Sequence, residues 1–213
     1  MSATNLKSKQ IFLIIGSAIS WFAVTFQLYL IILNRVASVP ETILRFFSFF
    51  TVLTNILVAV CFTLLLIQSK SKVGKFLAKP VNLTAVAVYI SVVSIVYNLV
   101  LRFLWSPQGL QLVVDELLHT AIPILYVVYW AIFVPKNDLK WRNIRVWMIY
   151  PAIYCVYILI RGAISGFYPY PFIDAGDLGY GQVLINIAGL ILGFMFVSVV
   201  FVGSTKFRKS SNS

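Results

Sequence analysis

The 213-residue chain is poor in the groups that usually make chemistry: one histidine, His119, two cysteines, Cys61 and Cys155, and six carboxylates. A single imidazole excludes bis-histidine haem ligation. It also leaves Asp115-Glu116-x-x-His119 as only half of a zinc-protease helix, since the second histidine is missing. Both cysteines fall inside apolar runs, where thiols are packing residues, so neither a disulfide framework nor a metal site is implied. No Gly-x-Ser-x-Gly elbow, phosphate-binding glycine loop, internal repeat or low-complexity segment stands out. The residues call for no metal and no cofactor.

Charge is scarce as well. Charged residues are 11% of the chain against 61% hydrophobic, which places it among integral membrane proteins. At ~20 residues per spanning helix the length accommodates several spans and short connections but no separate soluble domain. Residues 1–213 therefore read as one all-α transmembrane domain, a bundle of six helices. The runs are Ile11 to Leu33, Leu44 to Gln68, Leu83 to Leu104, Leu112 to Val134, Ile144 to Ile164 and Gln182 to Gly203. The first is too long for a signal-peptide core and ends in no small-residue cleavage site.

The net charge of +11 does not point to nucleic acid, because the lysines cluster in short loops and at the chain ends. With a cytoplasmic N-terminus, one side holds all ten lysines with Arg142, Arg145 and Arg208, and the other holds Arg35, Arg45, Arg102 and Arg161. The positive-inside rule then puts both termini in the cytoplasm of a cell-membrane protein whose partners are membrane lipids. Five carboxylates, Glu41, Asp115, Glu116, Asp174 and Asp177, fall on the outer side with those four arginines. They read either as a polar mouth or as a solvated rim of ion pairs. Between the last two spans, Tyr168-Pro169-Tyr170-Pro171-Phe172 cannot continue a helix and reads as a lid or an aromatic belt.

Three spans carry polar residues at helical spacing. Arg45, Ser48, Thr51 and Asn55 share a face of the second, Ser91, Ser94, Asn98 and Arg102 of the third, and Tyr150, Tyr154, Tyr157 and Arg161 of the fifth. Such stripes avoid lipid and predict a polar interior. On a continuous second helix Thr51 lies seven residues in, ~10 Å deep, and His119 lies ~6 Å into the fourth, at 1.5 Å per residue. A threonine hydroxyl near an imidazole base permits nucleophilic attack on an ester. Asp115 at four before His119, or Glu116 at three before, could accept its second N–H, with Asp115 the better-stacked choice.

Phe49-Phe50-Thr51, His119-Thr120-Ala121-Ile122-Pro123 and Tyr170-Pro171-Phe172 resemble, in order and spacing, the androgen-inducible six-span proteins, threonine hydrolases of fatty acid esters of hydroxy fatty acids. The resemblance covers most of the chain, and the His-Thr-x-x-Pro piece is its most specific part. The long Tyr-Pro-Tyr-Pro-Phe loop, the Thr54-Asn55 pair and the basic loops depart from the animal members and look like those of a microbial relative. The resemblance implies a Thr51 nucleophile and an essential His119. The hydrolase this describes takes a lipid-like ester, with Asn55 as an oxyanion donor and Arg102 and Arg161 on a substrate carboxylate. Arg45, Ser48, Asn98 and Tyr157 are the remaining candidate contacts. A non-enzymatic binder or transporter of a small amphiphile would use the same polar interior, and a purely structural reading would need none of these side chains. The oligomeric state is not legible.

Overall fold

A computed structural model describes residues 3–104 and 106–210. The side chains of residues 1–5 and 206–213 lie outside that description, those of Lys206, Arg208 and Lys209 in the charge count among them. Ten α-helices follow one another: α1 (Ala3–Leu33), α2 (Val39–Phe46), α3 (Phe50–Leu66), α4 (Lys72–Leu77), α5 (Pro80–Leu99), α6 (Leu110–Glu116), α7 (Ile122–Phe133), α8 (Asn143–Trp147), α9 (Ile149–Ser165) and α10 (Ala175–Ser210). No strand occurs among the described residues. Five segments are long and apolar enough to cross a membrane, and a sixth arises if α2 and α3, bent by 71°, count as one. Large apolar side chains such as Ile14, Leu44, Ile124, Ile153 and Phe196 stand on the outside, as they do where lipid tails are the solvent.

α5 is the centre of the bundle. It touches α3, α7 and α10, and 61% of its apolar window is buried against 28% for α1. α1 lies chiefly along α3. Polar groups in the interior are satisfied mostly by the backbone one turn back, as with Thr84 to Pro80 O, Ser91 to Ala87 O and Ser198 to Phe194 O, each at 2.7 Å. This is the usual way a hydroxyl survives in an apolar helix.

Three breaks set the shape. The second apolar run is not one helix from Leu44 to Gln68. It turns at Phe47–Phe49, where Phe49 is extended (φ −81°, ψ 123°). A continuous helix would bond the Ser48 carbonyl to the N–H of Val52; here it accepts from Tyr154 Oη at 2.8 Å, and the Ser48 hydroxyl turns back to Leu44 O at 2.7 Å. A second break lies between α6 and α7, where Leu117–Ala121 forms a π turn. Pro123 has no N–H for the carbonyls four and five residues back, those of His119 and Leu118, and the helix widens there. The third is inside α10 at Gly179 (φ 73°, ψ 154°), a left-handed position that suits glycine. Before that kink a short helical turn starts at Ala175, capped by the Asp174 carboxylate, which accepts from the N–H groups of Gly176 (2.9 Å) and Asp177 (3.3 Å); the long apolar part of α10 follows Gly179, close to the expected start near Gln182.

Candidate active site

Thr51 is the second residue of α3, not a mid-helix residue, so the bend places it where first-turn N–H groups have no helical acceptor. Its own N–H donates to Tyr170 Oη at 3.2 Å, and its hydroxyl lies 3.4 Å from the same oxygen. Phe50 anchors the turn against Tyr150, Tyr154 and Phe194. Of the two expectations for the Tyr-Pro-Tyr-Pro-Phe loop, a lid or an aromatic belt, the belt does not describe Tyr170, whose ring is buried and reaches Thr51. Burial raises the Tyr170 phenol above its usual range, with the Thr51 hydrogen bonds partly offsetting the shift. The loop seats on α9 because Gly162 has no side chain; a Cβ there would fall within the Tyr168 ring.

His119 sits in the π turn. Its Nδ1 is 2.8 Å from the carbonyl of Asp115 and 3.3 Å from the Asp115 carboxylate. A carbonyl only accepts, so Nδ1 carries the proton and the neutral ring keeps its lone pair on Nε2, for which no protein partner is found among the described residues. Tyr97 holds this arrangement twice. Its ring stacks on the imidazole with centroids 3.9 Å apart and planes 14° from parallel, and its hydroxyl donates to the other Asp115 oxygen. Asp115 is 6% exposed with both oxygens engaged. Of the two candidate carboxylates, Asp115 faces the histidine; Glu116 pairs with Arg102 at 2.6 Å.

Thr51, His119 and Asp115 line a single cavity of about 510 Å³, floored by Phe46, Val52 and Leu118 and closed on one side by Pro169, Tyr170 and Pro171. That volume lies within the ~300–1,000 Å³ usual for small-molecule pockets. No hydrogen bond joins Thr51 to His119 among the described residues. Thr51 and Tyr170 also border a second void of about 60 Å³, walled by Val92, Ile158 and Phe194, so the pair stands between the two spaces.

The other expected site residues are placed differently. Asn55 is fully buried and spends both amide hydrogens on carbonyls, Thr51 O at 2.9 Å and Leu118 O at 3.1 Å, so it has none left for an oxyanion. Asn98 reaches the His119 carbonyl at 3.5 Å while bonding Ser94 O at 2.9 Å. These two amides thus serve the carbonyls that Pro123 frees. Arg102 is taken by Glu116, Asn98 and Thr120 and stacks on Tyr97, so it is not free to clamp a substrate. Arg45 and Arg161 share Glu41, at 2.9 and 3.0 Å, and both guanidiniums lie against Phe167. Because α2 and α3 bend apart, Arg45 and Ser48 do not share a face with Thr51 and Asn55. Tyr157 is 39% exposed and lines neither void.

Four participants were not among the expected site residues. Tyr97 lies three residues after Ser94, on the same stripe, and was legible by spacing. Tyr170 was named in the loop and in the Tyr-Pro-Phe piece of the resemblance, without a role in the site. Gln27 and Gln111, bonded to each other at 2.9 Å at the cavity wall, carried no local signal at all. Compared with protein-family models, with characterised proteins and with solved structures, the chain matches none.

Proposed function

We propose that the protein is a membrane-embedded hydrolase of fatty-acyl esters, with Thr51 as nucleophile and His119 as general base. The observation that carries the reading is a tautomerically fixed imidazole, its Nε2 without a protein partner among the described residues, on a residue that lines the same cavity as Thr51. Thr51 Oγ1 attacks the ester carbonyl as Nε2 takes its proton. The tetrahedral oxyanion collects at the N-terminus of α3, where the helix dipole favours negative charge and where it displaces Tyr170 Oη from the Thr51 N–H. The C–O bond to the alcohol breaks and the imidazolium protonates the leaving oxygen. Water, deprotonated by the same Nε2, then attacks the acyl-threonine, and the acid departs as Thr51 regains its proton. Asp115 steadies the imidazolium in both halves.

In the same reading the chain lies in the cell membrane with six spans, α2–α3 forming one bent span, and both termini cytoplasmic, as the placement of the lysines argues. The resemblance of Phe-Phe-Thr, His-Thr-x-x-Pro and Tyr-Pro-Phe to the androgen-inducible threonine hydrolases supports the same assignment of roles.

The test is covalent labelling in detergent with a fluorophosphonate, together with release of fatty acid from an acyl ester. Labelling should vanish with Thr51→Ala, and hydrolysis with Thr51→Ala and His119→Ala alike. Full turnover by either variant overturns the assignment.

One observation favours a second reading. The Thr51 hydroxyl is held by Tyr170 rather than by the imidazole, which suits a protein that binds an amphiphile without cleaving it. That protein would be stabilised by its ligand, show no turnover, and be indifferent to Thr51→Ser.

A further inference from the structure

The large cavity has no cation to offer. Apart from the phenols of Tyr97 and Tyr170, its ionisable lining consists of Asp115 and His119. With Asp115 ionised, their sum is −1 beside a neutral imidazole and zero beside an imidazolium, so the pair then offers no net positive charge. Of the four arginines assigned to this end of the bundle, Arg102 pairs with Glu116, Arg45 and Arg161 share the one carboxylate of Glu41, and Arg35 bonds back to Ile32 O at 3.0 Å. None lines the cavity. The positive end of α3 is the remaining attraction for an anion, and there the Tyr170 hydroxyl already accepts from Thr51 N.

What the cavity does offer is a pair of neutral amides. Gln111 Nε2 donates to Gln27 Oε1 at 2.9 Å, which leaves both N–H groups of Gln27, one N–H of Gln111 and the Gln111 carbonyl, and exchanging the O and N of both amides would leave the same kinds of group. Gln111, Asp115 and His119 follow at steps of four, so the amides lie one and two turns, ~6 and ~12 Å, along the same face from the acid and the base. A donor–acceptor pair suits a hydroxyl, which both gives and takes a hydrogen bond.

We infer that the cavity takes esters whose alcohol portion is uncharged and carries a hydroxyl that reaches the amide pair, and discriminates against esters bearing a free carboxylate. This rests on the hydrolase reading for the word ester; the discrimination itself is a property of the cavity. A carboxylate brought into the cavity would meet Asp115 with no counter-ion. At ~6 Å and an effective dielectric of ~20, partly screened, that repulsion is enough for about a tenfold loss of affinity.

Two uncleavable ethers of equal chain length separate these statements: 1-O-dodecylglycerol and dodecyloxyacetate, titrated at pH 8 against the purified full chain with thermal stabilisation as the readout. The glycerol ether should bind about tenfold more tightly. Gln27→Leu with Gln111→Leu should erase most of that preference, and Asp115→Asn should strengthen binding of the carboxylate ether specifically. Equal or tighter binding of dodecyloxyacetate by the native protein, or no binding of either ether, overturns the inference, whether or not the double variant folds. Turnover is scored separately with dodecanoylglycerol and the dodecanoyl ester of glycolate. Preference for the glycerol ether without turnover would leave the inference standing and refute the hydrolase. Turnover of the glycolate ester at the same or greater kcat/KM would do the reverse.

Discussion

Asp115→Asn is the variant whose magnitude the geometry fixes best. In a serine protease triad the carboxylate is the acceptor that selects the tautomer, and its amide replacement costs about 10⁴ in rate because the imidazole turns to the wrong form. Here the shortest contact to Nδ1 is the main-chain carbonyl of Asp115, at 2.8 Å against 3.3 Å for the carboxylate, and a side-chain change leaves that carbonyl in place. Tautomer control should survive. What is lost is attraction between the carboxylate and the imidazolium that forms during attack. Two unit charges ~4 Å apart at an effective dielectric of ~20 attract by about 4 kcal/mol, which bounds the loss near 10³. With the proton only partly transferred at the barrier, and an asparagine dipole remaining, about half of that is expected, a fall of about 30-fold in kcat/KM. The assay is single-substrate kinetics on an acyl ester in detergent, native and variant side by side at pH 7 to 9. A loss of 10⁴ or more would refute tautomer control by the backbone carbonyl. An unchanged rate would remove Asp115 from the site.

Further perturbations probe the supports. Asn55→Leu orphans the Leu118 carbonyl and should lower stability by about 1–2 kcal/mol, read as a few degrees of Tm; an unchanged Tm would contradict its role at the π turn. Gly162→Ala forces the Tyr168 ring off α9, so limited proteolysis should cut in residues 166–174 well before it does in the native protein, and equal resistance would show the loop is held by other means. Because burial raises the Tyr170 phenol, the folded state holds that proton where an unfolded tyrosine, near pH 10, has lost it. Its contribution is present below that pH and falls as pH rises beyond it, so Tyr170→Phe should lose less stability than the native protein between pH 9 and 11; parallel losses would refute the buried hydroxyl. Tyr97→Phe keeps the stack on His119 but frees one Asp115 oxygen, and a drop of a few-fold in kcat/KM with KM unchanged is the outcome that marks it as a positioning residue.

Most of the long apolar helices were legible because the length and hydropathy of a run are local properties. Two of the three breaks had local causes as well, Pro123 for the π turn and Gly179 for the kink in α10. The bend between α2 and α3 had none. Phe46-Phe47-Ser48-Phe49-Phe50 contains neither proline nor glycine, and its departure from helix depends on Tyr154, 106 positions away, supplying a donor to the Ser48 carbonyl. Projecting a straight helix through it put Arg45 and Ser48 on the Thr51 face, and this is why two of the expected contacts fail together.

The sequence by itself determined the solvent this protein is built for and the few residues that could do chemistry in it, because a chain with one histidine and six carboxylates leaves little to choose from. It also determined, through helical spacing, that Asp115 and His119 share a face. The tertiary structure alone decided what each polar group is paired with. The arginines that looked available are engaged by Glu116 and Glu41, Asn55 is consumed by carbonyls, and Thr51 meets a tyrosine 119 positions later in the chain. Pairing is a competition among groups brought together from different helices, and in an apolar interior a donor or acceptor left without a partner is costly. Which partner wins depends on distances between elements, and local pattern carries no record of those.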